Sequence, residues 1–581
     1  MATDIRHQTI FEETKPVAQL PLEAFLNVTA GAIGRTVSTK FEPNTSSKFL
    51  FWLAKQQEKS GPSLEIGNII AARSDDEADV TFGTIVEMRS YTDVDSFIAD
   101  YLSHNFGDAT VEVPTDVSEV VVVTCNVMRN LSLKTKPIGR SQVFFPSESG
   151  IRYAYGIIDA TGQTVFTGAS IPIGVFENGD GTVANVSVDE DFVIGPEGAH
   201  LNVSGISGLA SKTSAVQFIL KSLLTHTRKS IAIVMFNVKS RDLLYIDQPN
   251  SRATSDEWSV EAYKKLAIAL EPFTGARFFA PSKPNDPKTT QSLRTLSTDR
   301  FTWDLASIKN DIPNLFDADD WDDKMEGAWY RIREQIENAP LLTYAHMMDW
   351  ISGIINNASA QNQQWVYGQH IATWNKIAGR LRSFPKSYKG LIAASGTGLD
   401  IPWRQLQRGS VYVVDIQMLN DRGKKLVFGR AMRELSDLME GEDKKLDAII
   451  VFVDELNKFA PSGNVRTPLK SRIVDITARG RSMGLVLVGA EQFASSVEKE
   501  IVENCSTYLF GRTEANELRS ANYAALSDEI KTKLMMLPQG SLLAKFAKFP
   551  QPIFVRFPYP PCMAGDQYKT PRIPETPRSQ L

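Results

Sequence analysis

The stretch Gly205-Ile-Ser-Gly-Leu-Ala-Ser-Lys-Thr-Ser214 ends a glycine-containing loop in a lysine followed by two hydroxyl residues. Before it, Leu201-Asn-Val-Ser204 alternates like a short strand, and after it Ala215–Leu224 repeats apolar residues at helical spacing. Strand, loop and helix in this order form the context of a phosphate-binding loop, whose backbone N–H groups and helix N-terminus can cradle an anion. In that reading Gly205, Gly208, Ser211, Lys212, Thr213 and Ser214 bind nucleotide, with Lys212 on the β- and γ-phosphates and Thr213 on Mg²⁺. The spacing departs from the usual loop, since Gly205 lies seven residues before Lys212 and Ser211 stands where a glycine is expected. A serine fits there only if the backbone avoids positive φ or the chain tolerates strain. A Gly/Ser turn ahead of a core helix remains the alternative.

A second constellation lies far along the chain. Leu446-Asp-Ala-Ile-Ile-Val-Phe-Val-Asp-Glu455 is an almost unbroken apolar run ending in two carboxylates. Buried parallel strands read this way, and doubly wound sheets bind ligands at the C-terminal ends of their strands. Asp454 is expected to hold Mg²⁺ and Glu455 to act as general base toward water. A helix-capping acidic pair is the alternative.

The elements that must position these groups follow from the rest of the chain. With 581 residues, 42% apolar and 23% charged, there is material for several cores. A net charge of −5 leaves nucleic-acid contact to local basic patches. Cys125, Cys505 and Cys562 are widely spaced, which argues against a disulfide framework or thiolate zinc site. The six histidines show no ligand spacing and read as surface or packing residues. No apolar run reaches the roughly 20 residues a bilayer requires, so a cytoplasmic protein is expected.

Residues 1–17 read as a flexible polar tail. Residues 18–165 are strand-rich, with runs at Ile66–Ala71, Thr81–Met88, Glu119–Asn126 and Ser141–Phe145 and one helix near Asp93–Leu102, as in a small barrel or sandwich. An α/β core is expected over 190–250 and 391–545, interrupted by a helical insertion over 251–390. Within the insertion, Asp311–Glu326 carries seven carboxylates against one lysine and reads as a solvated face. Residues 546–581 hold a last strand and a Pro-rich arm. The fold class is therefore α/β with a mostly parallel sheet and a small N-terminal β-domain.

The motifs together resemble the HerA branch of the HerA/FtsK superfamily of RecA-like ring ATPases. The resemblance rests on His200–Gly205 as lead-in strand, Val451-Phe-Val-Asp-Glu-Leu-Asn-Lys-Phe-Ala-Pro461, Arg479-Gly-Arg-Ser-Met-Gly484, Ala490-Glu-Gln-Phe493 and Pro552–Phe557, in the family's order. It departs from the family at Leu456-Asn457, where Ala-His is usual, and in the phosphate loop. It implies a RecA-like P-loop core, an N-terminal barrel of the ATP-synthase type and an inserted helical bundle. It also implies ATP and Mg²⁺ as cofactors and a homohexamer threading double-stranded DNA. Gln492 would sense the γ-phosphate, and Arg481, or Arg479 nearby, would act as finger in a neighbour's site. Lys239, Arg241, Arg466 and Lys470 are candidate DNA contacts. The family commonly works with a partner nuclease, or in antiphage defence with an effector such as a sirtuin-like enzyme, for which the barrel is the expected docking surface. A ring that binds nucleotide and mainly assembles an effector is the other reading.

Overall fold

A computed structural model describes residues 19–54, 63–93, 95–103, 106, 110, 119–206, 208, 211–284, 286, 288–313, 316, 321–338, 343–382, 388, 390–393, 398–464, 467–563 and 565. The expected tail, Arg466 and the end of the Pro-rich arm lie outside these residues. The chain divides into two units, Met1–Val165 with Glu177–Ala184, and Phe166–Phe176 with Asn185–Leu581.

The first unit is built on a closed antiparallel barrel. Its strands are β1 (Gly34–Val37), β2 (Lys48–Leu53), β3 (Ile69–Ser74), β4 (Val80–Thr92), β5 (Glu119–Asn130) and β6 (Ser141–Phe144), closing in the order β1-β2-β5-β4-β3-β6. Alternation explains the closure, because every second residue points inward. Phe49 and Phe51 of β2, Ile70 and Ala72 of β3, and Val123 and Cys125 of β5 form one buried cluster. The sequence runs locate four of these strands. They miss β1, which is short and mostly polar, and β2, an apolar run from Phe49 to Leu53. Helix α1 (Phe97–Ser103) follows β4, and α2 (Glu148–Ala154) follows β6 with Ser147 as its N-cap.

The second unit holds a sheet of twelve strands among the described residues. They are β7 (Ser170–Glu177), β8 (Val183–Asp189), β9 (Leu201–Ser204), β10 (Ile231–Asn237), β11 (Arg277–Pro281), β12 (Asp299–Phe301), β15 (Val411–Asp415), β16 (Ala448–Asp454), β17 (Leu485–Glu491), β18 (Thr507–Phe510), β19 (Ser541–Phe546) and β20 (Ile553–Arg556). The short pair β13 (Trp365–Val366) and β14 (Gln369–His370) stands apart. The sheet order is β12-β11-β15-β10-β16-β17-β9-β18-β19-β20-β7-β8. From β12 to β18 neighbours run parallel, and β19 and β20 continue antiparallel. Strands β10, β16 and β17 are buried at every residue, as strands covered on both faces must be.

The stretch 251–390 is only partly helical. After two short helices, Ser251–Ser255 and Glu257–Lys265, strands β11 and β12 extend the parallel sheet, so the aromatic run Arg277-Phe-Phe-Ala-Pro281 is sheet rather than bundle. The principal helices of the unit are α3 (Lys212–His226), α4 (Asp323–Asn338), α5 (Tyr344–Ala360), α6 (Ile371–Arg382), α7 (Asp421–Glu440) and α8 (Pro468–Met483). Trp329 of α4, Met347 and Ile351 of α5, and Trp374 of α6 join the core cluster that contains Val234 and Phe236 of β10. The bundle is therefore packed onto the sheet through one continuous apolar core.

Asp311 corrects the expectation of a solvated acidic face. It is 1% exposed, and its carboxylate receives Arg433 Nε and Nη2, both at 2.9 Å. Arg430, also buried, faces Asp311 at 3.3 Å, Asp400 at 2.6 Å and Glu434 at 2.7 Å. Asp322, Asp323 and Glu326 are exposed as expected. Removing one member of a buried charge network leaves the others uncompensated, at a cost of about 3–5 kcal/mol. Arg430→Met should accordingly lower the unfolding free energy of the second unit by about 3 kcal/mol or more in urea denaturation followed by tryptophan fluorescence. A loss below about 1 kcal/mol would show that the network does not hold α7 in place.

Candidate nucleotide site

Strand β9 lies between β17 and β18 and runs parallel to both, so its C-terminal end opens beside theirs. The loop that follows is tied at three points. Gly205 N donates to Glu491 O at 3.3 Å, Ile206 N to Arg512 O at 2.8 Å, and Gln539 Nε2 to Gly208 O at 2.7 Å. Ser211 has φ 49° and ψ 34°, the left-handed region, and α3 begins at the next residue. The conformation usual for glycine is thus kept with a serine in it, at roughly 1–2 kcal/mol. Lys212 is 6% exposed and its Nζ donates to Gly205 O at 2.7 Å, folding the lysine back across its own loop. Burial pulls its pKa below the ordinary lysine value, assisted by Lys239 and opposed by Asp454, Glu455 and Glu491.

The Asp454–Glu455 turn faces this loop. Strands β10, β16 and β17 are adjacent and parallel, which brings their charged ends to one edge. Glu455 takes up a left-handed conformation with φ 64°, and its N–H donates to Ala490 O at 2.7 Å. Gly489 makes room for the turn, since a Cβ there would come within 2.5 Å of Leu456 Cδ2. Glu455 is ion-paired with Lys239, which follows β10. Asp454 is buried, its Oδ1 lacks a hydrogen-bond partner, and burial raises its pKa against the pull of Lys239 and Lys212.

These groups surround a cavity of about 450 Å³ lined by Gly208, Ser211, Lys212, Thr213, Ser214, Lys239 and Asp454, among others. Asp242 lies at its wall, and Tyr559 and Pro560 line it from the C-terminal segment. An orphaned carboxylate oxygen on Asp454 and the Thr213 hydroxyl beside a buried lysine are the donor set that a magnesium–phosphate group requires. The residues present fit that group.

The remaining candidates fall in different places. Gln492 sits one residue past β17 and is half-buried, outside the cavity lining. The buried residue at that strand end is Glu491, whose Oε1 receives Asn202 Nδ2 at 2.6 Å while Oε2 has no partner. Burial pushes the Glu491 pKa up to about 8. Arg479 is exposed and bonds Asp475 one helical turn earlier, with Nε to Oδ1 at 2.8 Å. Arg481 is exposed and has no ion pair among the described residues. Neither arginine lines the cavity.

Two of the basic residues read as nucleic-acid contacts need correction. Lys239 is a wall of the cavity, paired with Glu455, because β10 ends beside β16. Lys470 is 9% exposed, donates to Gly463 O at 2.8 Å and pairs with Glu498, so it fastens the start of α8. Arg241 is exposed, and Arg466 lies outside the described residues. Sequence reading missed the parts of Lys239, Glu491 and Tyr559 in this region. Only the strand order places the first two beside Asp454, although both close apolar runs, which was the available signal.

No known protein family matches this sequence, and no curated protein matches it. Among solved structures, VirB4 of Thermoanaerobacter pseudethanolicus is similar with a TM-score of 0.41 and 14% identity, over 68% of this chain and 98% of that one. The plasmid coupling protein TrwB, in complex with the non-hydrolysable GTP analogue GDPNP, gives 0.41 and 11% identity over 64% and 87%. The genome-packaging NTPase B204 of Sulfolobus turreted icosahedral virus 2, in complex with ATP-γS, gives 0.21 and 18% identity over 26% and 70%.

The loop geometry makes Ser211→Gly and Ser211→Val diverge. The glycine variant should keep or improve binding of a fluorescent ATP analogue, and the β-branched valine, strained at positive φ, should weaken it about tenfold. Equal binding by both variants would show that the left-handed turn is dispensable. A pH dependence follows from Glu491. Its folded pKa is raised from 4.5 to about 8, so the stability it contributes is complete below pH 4.5 and is lost as pH rises through about 8. Glu491→Gln, which cannot ionise, should gain on the parent protein in urea stability between about pH 5 and pH 8, and a constant difference across that window would contradict a proton held at Glu491.

Proposed function

We propose that this chain is a HerA-type, ring-forming ATPase that translocates on duplex DNA. The observation that carries the reading is the meeting of Lys212 and Thr213 with Asp454 on one cavity, next to Glu455. Lys212 and the N–H groups that open α3 bind the phosphates, and Thr213 and Asp454 hold Mg²⁺. When bound, Mg²⁺ neutralises charge that develops on the transferred phosphoryl group. Glu455 orients water and takes its proton as general base. Tyr559 presents an aromatic face on which a base can stack.

Arg481 and Arg479 are exposed, lie outside the lining of the chain's own cavity and suit a neighbour's site, so the working form is a closed homohexamer. Arg481 is favoured, since Arg479 is engaged by Asp475. Duplex DNA runs through the ring and is held by its phosphates, which makes binding salt-dependent and sequence-independent. Gln492 reports the γ-phosphate through the end of β17. The six-stranded barrel docks a partner nuclease or a sirtuin-like effector in DNA end processing or antiphage defence, in the cytoplasm. Among the described residues no helix is long and apolar enough to cross a membrane.

A second reading has specific support. Ser211 strains the phosphate loop and Lys239 occupies Glu455, as suits a nucleotide-binding ring that assembles an effector with little turnover of its own. ATP hydrolysis by purified protein, with and without linear duplex DNA, separates the two. The motor predicts turnover that DNA stimulates and that Glu455→Gln reduces by about a hundredfold or more. Nucleotide binding without turnover in either condition would leave the scaffold.

A further inference from the structure

Of the two lysines on the cavity wall, one is hydrogen-bonded to a neutral backbone carbonyl and the other is ion-paired with a carboxylate. Lys212 is 6% exposed and held by Gly205 O. Lys239 keeps a side-chain exposure of 36%, and its charge partner is Glu455, exposed at 16%. The backbone that carries Lys239 is fixed. Val238 is fully buried, Ser240 adopts φ 60°, and Asn237 Nδ2 donates both to Ser240 O at 3.2 Å and to Asp415 Oδ1 at 2.9 Å. Any change at this position is therefore a swing of the lysine side chain, with four methylenes of reach, about an anchored turn.

Glu455 is constrained from the other side. Its backbone is locked in the left-handed turn by the Ala490 carbonyl, and its carboxylate is engaged by the Lys239 ammonium. The ammonium occupies the carboxylate oxygen that would otherwise be free to receive a hydrogen bond from a water. The pair therefore holds Glu455 in an unproductive state.

We propose that Lys239 is a switch that exchanges Glu455 for the terminal phosphate of a bound nucleoside triphosphate, and so releases Glu455 only when that phosphate is present. This rests on the nucleotide-binding reading of the site. A nucleoside diphosphate lacks the group that competes for the ammonium, and the Lys239–Glu455 pair persists with it. Lys239 thus discriminates triphosphate from diphosphate, and it ties the readiness of the base to the charge state of the cavity.

Fluorescence anisotropy with labelled ADP and a labelled non-hydrolysable ATP analogue tests this without turnover, using the full chain and Mg²⁺. Lys239→Met should weaken the triphosphate analogue about tenfold while ADP stays within about twofold, and Lys239→Arg should restore part of the difference. Glu455→Gln, which frees Lys239, should tighten the triphosphate about threefold or more, and this gain should vanish in the Lys239→Met/Glu455→Gln double variant. Equal weakening of both nucleotides by Lys239→Met, no effect on either, or a gain from Glu455→Gln that survives in the double variant would overturn the switch while leaving nucleotide binding intact. If the parent protein binds neither nucleotide and Lys212→Ala changes nothing, the nucleotide reading and the switch fall together. Thermal unfolding of each variant near that of the parent excludes loss of fold as the cause.

Discussion

Charge held at the ends of buried strands is the constraint on which the second unit depends. Strands β10, β16 and β17 have no exposed residue, so each delivers its first polar group at the same edge of the sheet. Asp454, Glu455 and Glu491 converge there, and three carboxylates away from water are costly unless cations or protons accompany them. Lys212 and Lys239 supply two cations from the loops after β9 and β10. The third carboxylate, Glu491, keeps its proton because burial pushes its pKa up to about 8. Lys212, Lys239 and Arg252 then stand against Asp454, Glu455 and Asp242.

The same edge stores backbone strain. Ser211 and Glu455 both occupy the left-handed region that glycine would enter freely. Each is held by its surroundings. The loop of Ser211 is anchored through Glu491 O, Arg512 O and Gln539, and the Glu455 turn is anchored through Ala490 O and the notch that Gly489 leaves for Leu456. Strand β17 supports both turns, from its last residue on one side and from Gly489 and Ala490 on the other. A shift of β17 would reach the phosphate loop and the carboxylate turn together, which makes it the element through which the two halves of the site are joined.

How far the sequence disclosed this depended on the range of the interaction. Local patterns were sufficient for the all-apolar run before Asp454, for the loop before α3, and for four strands of the barrel, where Ile70, Ile85 and Val123 point inward. They failed where a residue's meaning comes from a distant strand. Lys239 looked like a surface cation until β10 was set beside β16, and Lys470 looked free until Glu498 closed on it. Asp311, one carboxylate in a strongly acidic stretch, is the one drawn inside by Arg430 and Arg433 of α7, more than a hundred residues away. Strands β11 and β12 were hidden for a related reason. They lie between helices, and only the pairing of β11 with β15, and of β12 with β11, makes them part of the sheet.

The charge count gives the site two exclusive arrangements. With Glu491 neutral, each lysine is already matched: Lys212 lies near Asp454 and donates to the Gly205 carbonyl, and Lys239 faces Glu455. A polyphosphate brings several negative charges into a cavity whose two lysines are already engaged, so it competes with their present partners. Lys212 can turn from a neutral carbonyl at little electrostatic cost. Lys239 can turn only by leaving Glu455 without its cation. In the proposed switch, the Lys239–Glu455 pair is thus the one that yields to the terminal phosphate. In this arrangement the demand for charge neutrality, rather than any large movement of the fold, orders the events at the site.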